Sequence, residues 1–80
     1  MPKLKALSAK EVISIFKSFG FSLVGQKGSH IKLSRQTSLG KQVLTLPNHK
    51  ILDKGTLKAI YNQASRFISE GELKVYFYTE

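Results

Sequence analysis

Apolar residues recur at helical spacing near the start of the chain. Val12, Ile13, Phe16 and Phe19 fall on one face of a helical repeat, with polar residues between them. Ser8 and Glu11 precede this run as an S-x-x-E capping box, and Leu7 and Val12 are spaced as a hydrophobic staple around it. Gly20 supplies a left-handed stop. The pattern predicts a helix over about residues 8–19.

The period then changes from helical to alternating. Phe21 to Gln26 is rich in β-formers, and Lys27-Gly28-Ser29 reads as a tight turn. From His30 to Arg35, Ile31 and Leu33 fall on one face and His30, Lys32 and Ser34 on the other. Gln36 to Gly40 reads as a second turn. Gln42 to Leu46 is a third strand, with Leu44 and Leu46 inward and Pro47 ending it. Connections this short predict an antiparallel meander of three strands.

Helical spacing returns after Asp53, a good N-cap. Leu52 and Leu57 form a second staple pair. Leu57, Ile60, Tyr61, Ala64, Phe67 and Ile68 make an apolar stripe. The tail carries two conflicting signals. Ser69 and Glu72 have capping-box spacing and favour a short helix from about residue 70. Leu73, Val75 and Phe77 alternate instead, and Val75 to Thr79 are β-formers. The helix is the preferred reading. The expected fold is α+β: an α-β-β-β-α order, a three-stranded antiparallel sheet with two helices on one face, and a short extra C-terminal element. Both apolar stripes are then covered and the other sheet face is left wet.

Composition narrows the class. Eighty residues suit a single domain spanning 1–80, and 41% hydrophobic content is enough for one core. Without cysteine there is neither a disulfide nor a thiolate metal site. No apolar run approaches the roughly 20 residues that span a bilayer, and Met1 to Ala6 is not followed by an apolar stretch of signal-peptide length. A cytoplasmic protein with no membrane role is the expectation. Charge carries more information. Thirteen Lys and Arg against five Asp and Glu leave a formal +8, spread from Lys3 to Lys74. A folded surface of that sign favours a polyanionic partner: nucleic acid, an anionic membrane or an acidic protein.

The groups available for chemistry are few. Asp53 is the sole Asp, and Glu11, Glu70, Glu72 and Glu80 are scattered, two of them as helix caps. Neither a paired-carboxylate site nor a zinc spacing nor a phosphate-binding glycine loop is present. No metal or cofactor is expected, and catalysis would fall to His, Lys, Arg, Ser, Thr or Tyr. His30 is the leading candidate. Alternation puts it on the open face with Lys32, and Lys27 and Ser29 lie in the adjoining turn. A histidine there can take a proton from a ribose 2′-hydroxyl, and ammonium groups beside it can stabilise charge on a phosphate. The same pattern also describes an exposed histidine on a basic strand. His49, after Pro47-Asn48, reads either as a second proton-transfer or phosphate-contacting group or as a loop-fixing one. Lys50, Lys54 and Lys58 surround the start of the second helix, where the helix dipole favours anions. They fit a docked phosphate backbone, or are ordinary solvated lysines. Tyr61, Tyr76 and Tyr78 read as core or rim.

These residues resemble the HicA toxin family over nearly the whole chain. The resemblance rests on Leu7-Ser8, Gly20-Phe21, Gln26-Lys27-Gly28-Ser29-His30, Leu46-Pro47-Asn48-His49, Gly55-Thr56-Leu57, Ile60 and Gln63-Ala64. It implies a double-stranded-RNA-binding-like fold and a bacterial or archaeal mRNA interferase, a metal-independent ribonuclease acting on mRNA. It implies that His30, the histidine of Gly-Ser-His, is catalytic, and that a HicB-type antitoxin covers the active face. The aromatic-rich segment Lys74 to Glu80 departs from the short helix that usually ends the family. A non-catalytic RNA-binding module and a basic domain that engages an acidic protein are the rival readings, and neither needs a histidine on that face.

Overall fold

The computed structural model describes residues 3–79. Met1, Pro2 and Glu80, which the expected domain and tail include, lie outside the described residues. The elements run β1 (Lys3–Leu4), α1 (Ala9–Ser18), β2 (Ser22–Lys27), β3 (His30–Thr37), β4 (Gly40–Pro47), α2 (Lys54–Ala64), α3 (Glu70–Phe77) and β5 (Tyr78–Thr79). The sheet order β2-β3-β4 is antiparallel throughout, as the short connections predict. The architecture is the expected α+β one, consistent with a double-stranded-RNA-binding-like fold.

All three helices start by the same device. Ser8, Asp53 and Ser69 accept hydrogen bonds from the backbone N–H three residues on, satisfying donors that the first turn leaves unpaired. In α1 the box is reciprocal, since the Glu11 carboxylate takes the Ser8 N–H at 2.9 Å. Leu7, Leu52 and Ile68 precede the caps, Val12, Leu57 and Leu73 follow them, and all six are buried in one core. The end of α1 is equally well specified. Phe21 N–H reaches the Phe16 carbonyl and Gly20 N–H that of Lys17, the two bonds of a Schellman motif. Gly20 has φ +93°, and the accompanying apolar contact is Phe16 on Phe21, ring centroids 6.0 Å apart.

Strand alternation decides which face meets the helices. Ile31 pairs with Leu46 and Leu33 with Leu44, and all four are buried. Arg35 continues that inward face at the sheet's far end, where a bare charge would be costly. Its guanidinium is instead spent on the Phe19 carbonyl at 2.8 Å, the Phe67 carbonyl at 3.2 Å and the Gln42 amide oxygen. It also lies 4.8 Å from the Phe21 ring centroid. One side chain thereby joins the end of α1, two strands and the turn after α2.

The tail resolves as helix followed by strand. Leu73 and Phe77, four apart, are buried, while Val75 between them is 68% exposed, so helical spacing prevails over alternation. Phe77 packs against Phe16 at 5.9 Å and Tyr61 at 5.6 Å. Helix α2 ends at Ala64, short of the stripe's last members. Phe67 and Ile68 follow in a turn whose N–H groups both reach the Ala64 carbonyl. The strands also run beyond the expected Arg35 and Gln42 limits, leaving only Ser38 and Leu39 between Thr37 and Gly40. The pairing of β1 with β5, Leu4 opposite Tyr78, joins the two ends of the described chain.

Candidate nucleic-acid interface

The turn that presents His30 is built from Gly28. Lys27 pairs with His30, leaving Gly28 and Ser29 as a two-residue loop. Gly28 has φ +60° and Ser29 a negative φ, the pattern of a type II′ turn, whose twist matches that of the strands it joins. The Gln26 side-chain amide donates to the Gly28 carbonyl at 3.2 Å and braces the loop. With this register His30 opposes Lys27 on one side and Pro47 on the other. The next row of the same face is Gly25, Lys32 and Thr45.

His30 is exposed on the sheet face opposite the helices, as alternation predicts. A shallow groove there is lined by Val24, Gly25, Gln26, Lys27, His30, Lys32 and Thr45. Lys27, His30 and Lys32 are thus brought together. Gly25 contributes no side chain, and nothing lies within 4 Å of where one would begin, so the space beside Lys32 stays open. Next to Gly25 the pairing slips at Val24, a β-bulge, a feature that re-aims neighbouring side chains.

Ser29 sits exposed in the turn, and its carbonyl accepts the Asn48 N–H. This bond links the His30 turn to the loop after β4. That loop is also fixed to α1, because the His49 carbonyl accepts the Ala9 N–H at 3.0 Å. The backbone of His49 therefore ties the loop down, while its exposed side chain joins Lys50, Asn48, Ser8 and Lys10 around a second groove. Lys54 and Lys58 are exposed one turn apart at the start of α2 and line neither groove. Asp53 already occupies that helix end. The Thr56 backbone N–H, 2.7 Å away, holds the Asp53 carboxyl below its ordinary value, helped by the Thr56 side chain and then by the charge of His49. Tyr61 is buried and Tyr78 partly so, whereas Tyr76 stands at the rim with its ring edge-on to Phe19 at 5.5 Å.

Three features escape a linear reading. Lys10 looks like any exposed helix lysine, and only the fold puts it beside His49. Gly25 reads as punctuation, yet it opens the His30 groove. Gln63 grips the Thr45 backbone through both its amide atoms, at 2.9 and 3.1 Å, and so occupies part of the free edge of β4; an amide two turns into a helix gives no sequence signal for this.

The family model described as HicA toxin of bacterial toxin–antitoxin matches residues 9–65. The chain belongs to the HicA toxin family. That family comprises toxins of bacterial toxin–antitoxin systems, so the coarse function is that of a toxin of such a system. The HicA match runs from α1 to the end of α2 and covers His30, both grooves' basic residues and the α2 lysines. Helix α3 and the β1–β5 pair lie beyond it. No curated protein and no solved structure matches the chain at a significant level. Among the described residues no helix is long and apolar enough to cross a membrane, and no three His, Cys, Asp or Glu side chains group as metal ligands.

Proposed function

We propose that this HicA protein is an mRNA interferase, an endoribonuclease in which His30 is the general base. The observation that carries this reading is the exposed His30 imidazole set between Lys27 and Lys32 in a groove on the uncovered sheet face. Phosphates of the RNA backbone lie along Lys27, Ser29, Lys32, His49 and Lys50, with Lys54 and Lys58 adding positive field at the edge. Such contacts give affinity and salt dependence rather than sequence choice.

The reaction is internal to the RNA. His30 takes the proton of a 2′-hydroxyl, and that oxygen attacks the adjacent phosphorus. The bond from phosphorus to the 5′-oxygen breaks, and the leaving oxygen takes a proton from water or from His49. The products are a 2′,3′-cyclic phosphate and a 5′-hydroxyl. Positioned general bases contribute roughly 10²–10⁴-fold in rate, and the Lys27 and Lys32 ammonium groups oppose the charge that builds on the phosphate. No step calls on a metal or a cofactor. A HicB-type antitoxin neutralises the toxin by covering this same face.

Substrate chemistry tests the scheme. RNA incubated with the protein in excess chelator is cut, and the same RNA carrying a single 2′-deoxy nucleotide at the cleaved position resists. Cleavage that needs added magnesium, or that ignores the 2′-deoxy substitution, contradicts it.

A further inference from the structure

We infer that the groove between α1 and the 48–50 loop is a second phosphate subsite for the RNA strand, and that Lys10 is its principal new contact. The inference rests on the RNA-binding part of the proposed function and extends it to α1, none of whose residues contacts RNA in that reading. Ser8, Lys10, Asn48, His49 and Lys50 line this groove. It continues the His30 groove through consecutive residues: Pro47 is paired with His30, Asn48 donates its N–H to the Ser29 carbonyl, and the His49 carbonyl holds the Ala9 N–H. A strand whose reacting phosphate lies at His30 therefore meets Asn48, His49, Lys50 and Lys10 next along the surface.

Side chains supply most of the donors of this groove, because three of the four N–H groups at the start of α1 are occupied. The Ser8, Ala9 and Glu11 N–H groups are already taken, by the Glu11 carboxylate, the His49 carbonyl and the Ser8 hydroxyl. Two acids lie near. Glu11 is turned back onto the Ser8 N–H, and Asp53 onto that of Thr56. Lys10 stands in the first turn of α1, where the helix dipole disfavours a cation. Helix stability does not account for a lysine there, whereas an anion bridging Lys10 and Lys50 does. The Asn48 amide adds an uncharged donor suited to a phosphate oxygen.

The test measures binding of a single-stranded 2′-O-methyl RNA oligonucleotide, which cannot be cut, by wild type, Lys10→Gln, Lys10→Arg and Lys74→Gln across a salt series. Lys74, exposed on α3, controls for the loss of one charge. A phosphate contact on a single strand adds about 0.7 to the slope of log K against log salt, or roughly fivefold in affinity at about 0.1 M relative to 1 M salt. Lys10→Gln is expected to bind roughly fivefold more weakly with a slope lower by about 0.7; Lys10→Arg is expected to retain binding and Lys74→Gln to match wild type. If Lys10→Gln behaves like Lys74→Gln while wild type still binds and cleaves RNA, the subsite is overturned and the ribonuclease reading stands. If wild type binds no RNA, the proposed function itself fails and the subsite with it.

Discussion

Replacing Phe77 by Ala tests whether the C-terminal helix, which lies outside the family match, is part of the core that supports the site. Phe77 is fully buried and touches Phe16 of α1 and Tyr61 of α2. Truncating a buried Phe removes its transfer free energy and leaves a cavity, together about 3–5 kcal/mol. A chain of this size is stable by about 4–12 kcal/mol in total, so the variant sits near the edge of folding. For a domain of 60–100 residues each kcal/mol shifts Tm by about 4–8 °C, and the expected fall is at least about 12 °C. Val75→Ala, on the same helix but 68% exposed, is expected to stay within about 0.5 kcal/mol. Urea and thermal unfolding followed by far-ultraviolet circular dichroism measure both. A loss below about 1 kcal/mol for Phe77→Ala, or equal losses for the two variants, would refute the placement of α3 in the core.

Arg35→Met removes the donors held by the Phe19 and Phe67 carbonyls and the Gln42 amide. Charge-assisted bonds of this kind are worth about 1.5–3 kcal/mol, so urea unfolding should register a loss of that size. Arg35→Lys should not restore it, because an ammonium cannot fork to several acceptors as a guanidinium does. Asp53 gives a pH dependence. Its carboxyl is held below the ordinary value in the folded state by the Thr56 N–H, the Thr56 side chain and His49. The stabilisation is therefore full above the unfolded value of about 3.9 and fades as pH falls through the lower folded value. Melting curves of wild type and Asp53→Asn should differ most near neutrality and converge in acid; a gap that widens below about pH 3 has the wrong sign.

Much of the scaffold was legible because several local signals agreed. The capping box and staple around α1, the Gly20 stop and the alternation of Ile31 and Leu33 each have a local cause, and each is realised. The tail was only half legible. Its alternating Leu73, Val75 and Phe77 imitate a strand, and the two that are buried are also four apart, so the patterns differ only in where Val75 goes. The β1–β5 pair was not legible at all: two residues at each end meet across nearly the whole chain, and no local period encodes that. For the site, alternation sufficed to expose His30 beside Lys32, and the turn brought in Lys27. It could not separate His49 and Lys50 from Lys54 and Lys58. That division follows from the Ala9–His49 and Asn48–Ser29 bonds, which join residues 40 and 19 positions apart. Lys10 was hidden for the same reason.

The most direct measurement compares single-turnover cleavage of one RNA by wild type and His30→Ala, with both melting curves recorded. An exposed ring on the open face supports little packing, so Tm should hardly change. The cleavage rate should drop by roughly 10²–10⁴-fold. A folded His30→Ala protein that cuts this RNA as fast as wild type would contradict a proton-transfer role for that imidazole.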